Sequence, residues 1–323
     1  MTPRARVFTI VAAAAVLAVG GTIAVTLLQT RNETTTAPGS VTKPRPGTPP
    51  VFLDFGVRGD AEARALSRAA DLLNHGKRRQ ALAIFGRYHS LQAQIGTAFA
   101  EWPNGGLDTV KRLVAAHPES PVARLHLGFA YDWAGRVGDA VTALQSVVSR
   151  WPDSPEAVQA EGALYPKFAP GLPPIVTTLA LPSAPTQAAQ LQLLADDARD
   201  GGADAKLRYG VALWQLWHRV SAERQFDAAA RLAPDDPVAR TAAAVGAFTK
   251  RAPVRAFGRL GPLTGAFPRS AVVRFHLGLL LVWSREPAKG VKQLKLAVAD
   301  EPRSVYATEA RRLIAALGQH GTR

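Results

Sequence analysis

Five prolines constrain this chain more than any other feature. Pro118 and Pro152 lie 34 residues apart, and Pro234, Pro268 and Pro302 recur at the same interval. A fixed period of this length marks stacked supersecondary units, each too small to bury its apolar face alone. The stretch from Pro118 to Pro155, PESPVARLHLGFAYDWAGRVGDAVTALQSVVSRWPDSP, reads as two short amphipathic helices joined at Gly135. Alanine and leucine dominate the chain and aromatics make up only 7%, which favours helices over a sheet.

Within that stretch Leu127, Gly128, Ala130 and Tyr131 fall on the first helix, and Ala140 and Leu144 on the second. Small residues at 128 and 140 are needed where two antiparallel helices cross closely. The pattern Gly128, Tyr131, Gly135, Ala140, Pro152 resembles the tetratricopeptide repeat. A second copy starts at Ala271 with Leu277, Gly278, Leu281, Gly290, Leu294 and Pro302. A third, near Ala203, carries Gly210, Leu213, Ala222, Phe226 and Pro234. Weaker units fill 236–268 and 90–117, and Ala69, Gly76, Ala81 and Phe85 mark another at the front. A shift of 150 lays Arg124-Leu-His-Leu-Gly128 on Arg274-Phe-His-Leu-Gly278 and Trp133 on Trp283 without a gap. The resemblance implies an all-α, right-handed helical-repeat solenoid; the shift of 150 divides it into two blocks, 57–165 and 186–319, and one transmembrane helix is expected before them.

That helix is expected at the N-terminus, where residues 1–28 read as a membrane anchor. Val7 to Leu28 runs 22 positions without a charge, enough to cross a bilayer at 1.5 Å per residue. Arg4 and Arg6 precede it and set that end in the cytoplasm, leaving the bulk of the chain outside. Cleavage as a signal peptide, with secretion, is the competing reading. Residues 29–56, rich in Thr, Pro and Gly, read as a solvated linker. Residues 166–185 hold six prolines among Phe168, Leu172, Ile175, Val176, Leu179 and Leu181, too apolar for a free linker. They are expected to cover the block junction, or to lie in a repeat groove as a stand-in for a ligand peptide.

No catalytic motif is present: neither P-loop, G-x-G-x-x-G, H-E-x-x-H nor G-x-S-x-G. No cysteine exists to form a disulfide or act as a thiol. No cofactor or metal is expected, and the chain does not read as an enzyme. His126 and His276 share one place in two repeats. Inherited duplication with a partly exposed imidazole is preferred there to a metal pair. The resemblance implies that first helices line a concave surface, which here brings up Leu125, Phe129, Asp132 and Trp133, then Phe275, Leu279 and Trp283, with Trp214 in a third unit. Tryptophans in such a surface are frequent binding hot spots. The net charge of +14 is spread over Lys77-Arg78-Arg79, Lys111-Arg112, Arg219, Arg224, Arg251, Arg255, Arg259 and Arg311-Arg312, mostly on second helices or turns. These clusters lack the interleaved aromatics of a single-strand nucleic-acid site, so anionic lipid or wall polymer is the partner class they fit. The sequence therefore reads as a bacterial, single-pass membrane scaffold binding a protein or peptide in the cell envelope, with an accessory role in envelope-polymer assembly as the alternative.

Overall fold

The computed structural model describes residues 41–320; the expected anchor and residues 29–40 of the expected linker lie outside them. Fifteen α-helices and no strand occur among the described residues. They form two compact units that divide between Leu164 and Tyr165.

The first unit contains α1 (Ala61–Asn74), α2 (Arg78–Phe85), α3 (Leu91–Ala100), α4 (Gly106–Ala116), α5 (Pro121–Trp133), α6 (Val137–Arg150) and α7 (Pro155–Leu164). The second contains α8 (Gln187–Asp200), α9 (Ala203–Gln215), α10 (Arg219–Leu232), α11 (Pro237–Gly246), α12 (Val254–Ala266), α13 (Ala271–Trp283), α14 (Pro287–Asp300) and α15 (Val305–His320). In each unit every helix packs on its successor, and the first helices also touch one another: α1 with α3, α5 and α7 in series, and α9 with α11, α13 and α15. Those first helices form the inner layer, and the second helices lie outside it.

The periodic prolines now have a local cause. Each stands one residue beyond the C-cap of a second helix: Pro118 after His117, Pro152 after Trp151, Pro234 after Ala233, Pro268 after Phe267, Pro302 after Glu301. Proline disfavours helical φ/ψ in the residue before it, so the helix stops there. The next helix starts on a short polar cap. Ser90, Ser120 and Asp236 accept from the backbone N–H of Ala93, Ala123 and Ala239 at 3.4, 3.3 and 3.2 Å. Pro121 and Pro237 follow at the first helical position, where a missing N–H costs nothing.

Between the helices of a pair the chain turns through a left-handed residue. Lys77, Arg136, His218 and Glu286 each donate back five residues, to Leu72, Tyr131, Leu213 and Leu281, at 2.8–2.9 Å. This closure requires φ > 0 at the residue before the donor. Gly76 and Gly135 supply it in the first unit; Trp217 (φ 61°) and Arg285 (φ 63°) do so in the second, against their intrinsic preference.

The close helix crossings expected from small residues are present. A Cβ on Gly128 would lie 2.7 Å from the Leu144 side chain, and one on Gly278 would lie 2.8 Å from Leu294. In the first unit the buried residues form one continuous core that includes Phe85, Phe99 and Phe129, and Phe226 and Phe248 are fully buried in the second.

No described helix is long and apolar enough to cross a membrane, and Val7–Leu28 lies outside the described residues.

Candidate functional site

In each unit a strap of chain without helix or strand lies against the inner helix layer. In the first unit it is formed by residues 42–55, which the sequence places in a solvated linker. Composition misleads here because the contacts are made chiefly by the main chain. The Thr42 N–H donates to the Gly135 carbonyl at 2.7 Å and the Arg45 N–H to the Trp133 carbonyl at 2.8 Å. Asn74 clasps Val51 at both polar ends: its Oδ1 accepts from the Val51 N–H at 2.9 Å and its Nδ2 donates to the Val51 carbonyl at 2.8 Å. The Phe52 N–H donates to Nε2 of His126 at 3.1 Å. Arg45 meets Asp132 at 3.1 Å and lies over the Trp133 ring, 5.1 Å from its centroid.

In the second unit the strap is the proline-rich segment that follows Tyr165. The Ala169 N–H donates to the Trp283 carbonyl at 3.3 Å, and the Val176 N–H to Nε2 of His276 at 3.0 Å. The indole N–H of Trp214 donates to the Pro173 carbonyl at 2.8 Å. Both left-handed turn residues of this unit touch the strap. Arg285 Nε donates to the Lys167 carbonyl at 2.9 Å, and the Trp217 ring packs so closely that a Cβ on Gly171 would lie 3.3 Å from it. Unfavourable φ values are thus held where side chains engage the strap. Ile175, Val176 and Thr177 of the strap border, with α9, α11 and α13, a void of about 10 Å³, at the lower limit for one water. The groove is filled.

The two histidines anchor both straps by one arrangement. Each Nδ1 sits 2.6–2.8 Å from a carbonyl four residues earlier, Val122 or Val272. A carbonyl only accepts, so Nδ1 carries the proton and Nε2 is left as the acceptor for the strap N–H. Burial lowers both pKa values to about 4, the backbone hydrogen bond opposing it. The imidazoles are 0% and 2% exposed, not partly exposed as the sequence implies, because the straps cover them. With both ring nitrogens engaged, neither has a lone pair to offer a metal. Among the described residues no group of three or more His, Asp or Glu could hold a metal ion.

The concave-surface residues named from sequence divide into two sets. Asp132, Trp133, Trp214 and Trp283 contact the straps through the bonds above. Leu125, Phe129, Phe275 and Leu279 are at most 8% exposed within the helix layer. Phe129 and Phe275 set their rings edge-on to His126 and His276, at 5.9 and 5.1 Å. All eight are buried by the chain itself. The indole N–H groups of Trp133 and Trp283 are buried without an acceptor. Sequence reasoning missed Asn74 and the strap of the first unit. A usable signal existed: Lys43-Pro-Arg-Pro-Gly-Thr-Pro-Pro-Val51 and Lys167-Phe-Ala-Pro-Gly-Leu-Pro-Pro-Ile175 share one pattern.

Several of the basic residues face carboxylates. Arg255 meets Glu223 at 3.0 Å, Arg259 meets Asp227 at 2.9 Å, Arg312 meets Glu309 at 2.7 Å, and Lys111 meets Asp108 at 3.2 Å. Arg78 donates to the Ala100 carbonyl. These pairings reduce the free positive potential available to an anionic polymer.

Residues 122–154 match the tetratricopeptide repeat family. No curated protein matches the sequence. Among solved structures, the chain is similar to the TPR2AB domain of yeast Sti1 in a complex with pHSP90. The identity is 12% and the TM-score 0.32, over 81% of this chain and 98% of that one.

Proposed function

We propose that this chain is a non-catalytic scaffold whose inner helix layers bind protein segments main-chain first, tethered to a bacterial cytoplasmic membrane by residues 7–28 with its bulk in the cell envelope. One observation carries the binding part of this reading. Each unit holds a proline-rich strap against the same positions of its inner layer, through a histidine Nε2 and the carbonyl closing the first helix. A surface that recognises irregular chain in this way suits a partner segment of the same character. The match over residues 122–154 supports the same reading, as such repeats serve as interaction surfaces. The tether rests on the uncharged run of 22 residues and the two arginines before it.

Crosslinking in intact cells tests the scaffold. A captured protein should be lost when Trp133→Ala or Trp283→Ala is introduced and retained in high salt. Capture unaffected by either substitution would sink the role of the inner layer, and salt-sensitive capture would favour the outer basic face. Protease added to spheroplasts should reach the C-terminal end near Arg323; protection of that end would reverse the topology.

A further inference from the structure

The two straps are one recognition element written twice. Ten residues from Lys43 to Phe52 and ten from Lys167 to Val176 align at a shift of 124 and agree at Lys, Pro, Gly, Pro and Pro: Lys-x-x-Pro-Gly-x-Pro-Pro-(Val/Ile)-x. Their contacts keep the same register. The donors lie at the third and tenth positions, Arg45 and Phe52 or Ala169 and Val176, seven residues apart. The acceptors are also seven residues apart and in reverse order, Trp133 then His126, or Trp283 then His276. Each strap therefore runs antiparallel to the helix that receives it.

The residue types follow from that register. Positions four, seven and eight are proline, which has no N–H to leave unpaired in a groove without a partner strand. The fifth position is glycine at φ +80° in one strap and +74° in the other, a left-handed kink that only glycine takes freely. The seventh, Pro49 or Pro173, is buried in both, and the first, Lys43 or Lys167, is exposed in both. Two segments of different overall sequence thus meet one set of requirements, which reads as a specificity rule.

The straps differ in how firmly they are held. Strap two is buried at Phe168, Gly171, Leu172, Pro173 and Val176, whereas residues 42–44 and 46–47 of strap one are exposed. We infer that the groove of the first unit is a receptor for segments of the form Lys-x-x-Pro-Gly-x-Pro-Pro-(Val/Ile), and that residues 42–52 are its resident, exchangeable ligand, displaced by a partner protein presenting the same pattern. This inference rests on the scaffold reading and adds the ligand class and the resident competitor. A short tether gives the resident an effective concentration on the order of millimolar, so the intact chain takes up a free segment weakly.

The test uses the full chain with a protease site inserted at 56–59, between strap one and α1, where Gly56 and Gly59 are exposed. After cleavage the strap should remain bound through purification, then exchange with a fluorescent synthetic peptide spanning residues 41–56. Anisotropy should show one-to-one saturation, at least tenfold tighter than for the uncut chain. A peptide spanning 165–180 should bind as well. Peptides with Gly47→Val, or with Phe52→Pro to remove the donated N–H, should bind at least tenfold more weakly. A cut chain that keeps its helical circular dichroism but never exchanges its strap would overturn the inference, as would one that binds a scrambled peptide equally well. Should the insertion variant fail to fold, Arg45→Glu in the intact chain sets like charges against Asp132 and should raise peptide affinity severalfold; no change would count against the proposal. A chain that refuses the pattern peptide yet still captures a protein in cells through Trp133 loses this inference and keeps the scaffold reading. Absence of any capture removes the scaffold reading on its own.

Discussion

Acid should loosen both straps through their histidines. Each imidazole is neutral, with Nδ1 donating to its own helix and Nε2 accepting from the strap. A second proton on Nε2 would point at the N–H of Phe52 or Val176, replacing an attraction with a clash. The rings around His126 are Phe99 and Phe129, and around His276 Phe275 and Tyr306. Burial likewise pushes the Tyr306 hydroxyl up to about 12, so it stays neutral throughout. The histidine pKa falls from 6.5 unfolded to about 4 folded, so between those values the unfolded chain binds more protons. Stability is therefore intact above pH 6.5, declines as pH falls toward 4, and loses nothing more from these groups below that. A shift from 6.5 to about 4 corresponds to a loss on the order of 3 kcal/mol per histidine. Urea unfolding followed by tryptophan fluorescence at pH 7, 5.5 and 4 measures it, with the His126→Asn, His276→Asn double variant as the reference for the titrating carboxylates. The wild type should lose several kcal/mol more than the variant across that range. Parallel pH profiles for the two proteins would refute the assigned tautomer and burial.

Three substitutions probe other parts of the account. Gly135→Ala places a Cβ 2.1 Å from the Thr42 carbonyl in a left-handed turn, so strap one should open to chymotrypsin at Phe52 and Phe55, with a fold penalty of about 1 kcal/mol. Gly278→Ala meets Leu294 and the Gly290 carbonyl at 2.8 and 2.9 Å, and should cost about 1–3 kcal/mol in urea with no change at strap one. Asp132→Ala removes the Arg45 pair, whose side chains are 25% and 11% exposed, and should lower stability by at most about 1 kcal/mol in the same assay while speeding strap-one proteolysis.

The repeat architecture was legible because its signals are local. A proline stops five of the second helices, a serine or aspartate caps the next, and small residues at 128 and 140 mark where helices touch. The straps were harder to read because main-chain bonds hold them and their composition mimics free linker. Strap two showed itself through its apolar residues. Strap one did not, since Lys43, Arg45, Thr42 and Thr48 look solvated until Asp132 and Gly135 are placed beside them. The shared pattern was also hidden by spacing: α8 has no counterpart in the first unit, so the straps repeat at 124 and the helix pairs at 150. The histidines were legible as an equivalent pair, but their covering was not. The apolar character of Leu125, Phe129, Phe275 and Leu279, unusual for a solvated groove, was the trace of it.

Amide hydrogen exchange at Phe52 and Val176 in the intact chain tests most directly whether both grooves are occupied. If the straps are seated on His126 and His276, both amides exchange orders of magnitude more slowly than an unstructured chain at pH 7, and both lose protection together near pH 4. Exchange at the unstructured rate at either position would contradict a filled groove in that unit.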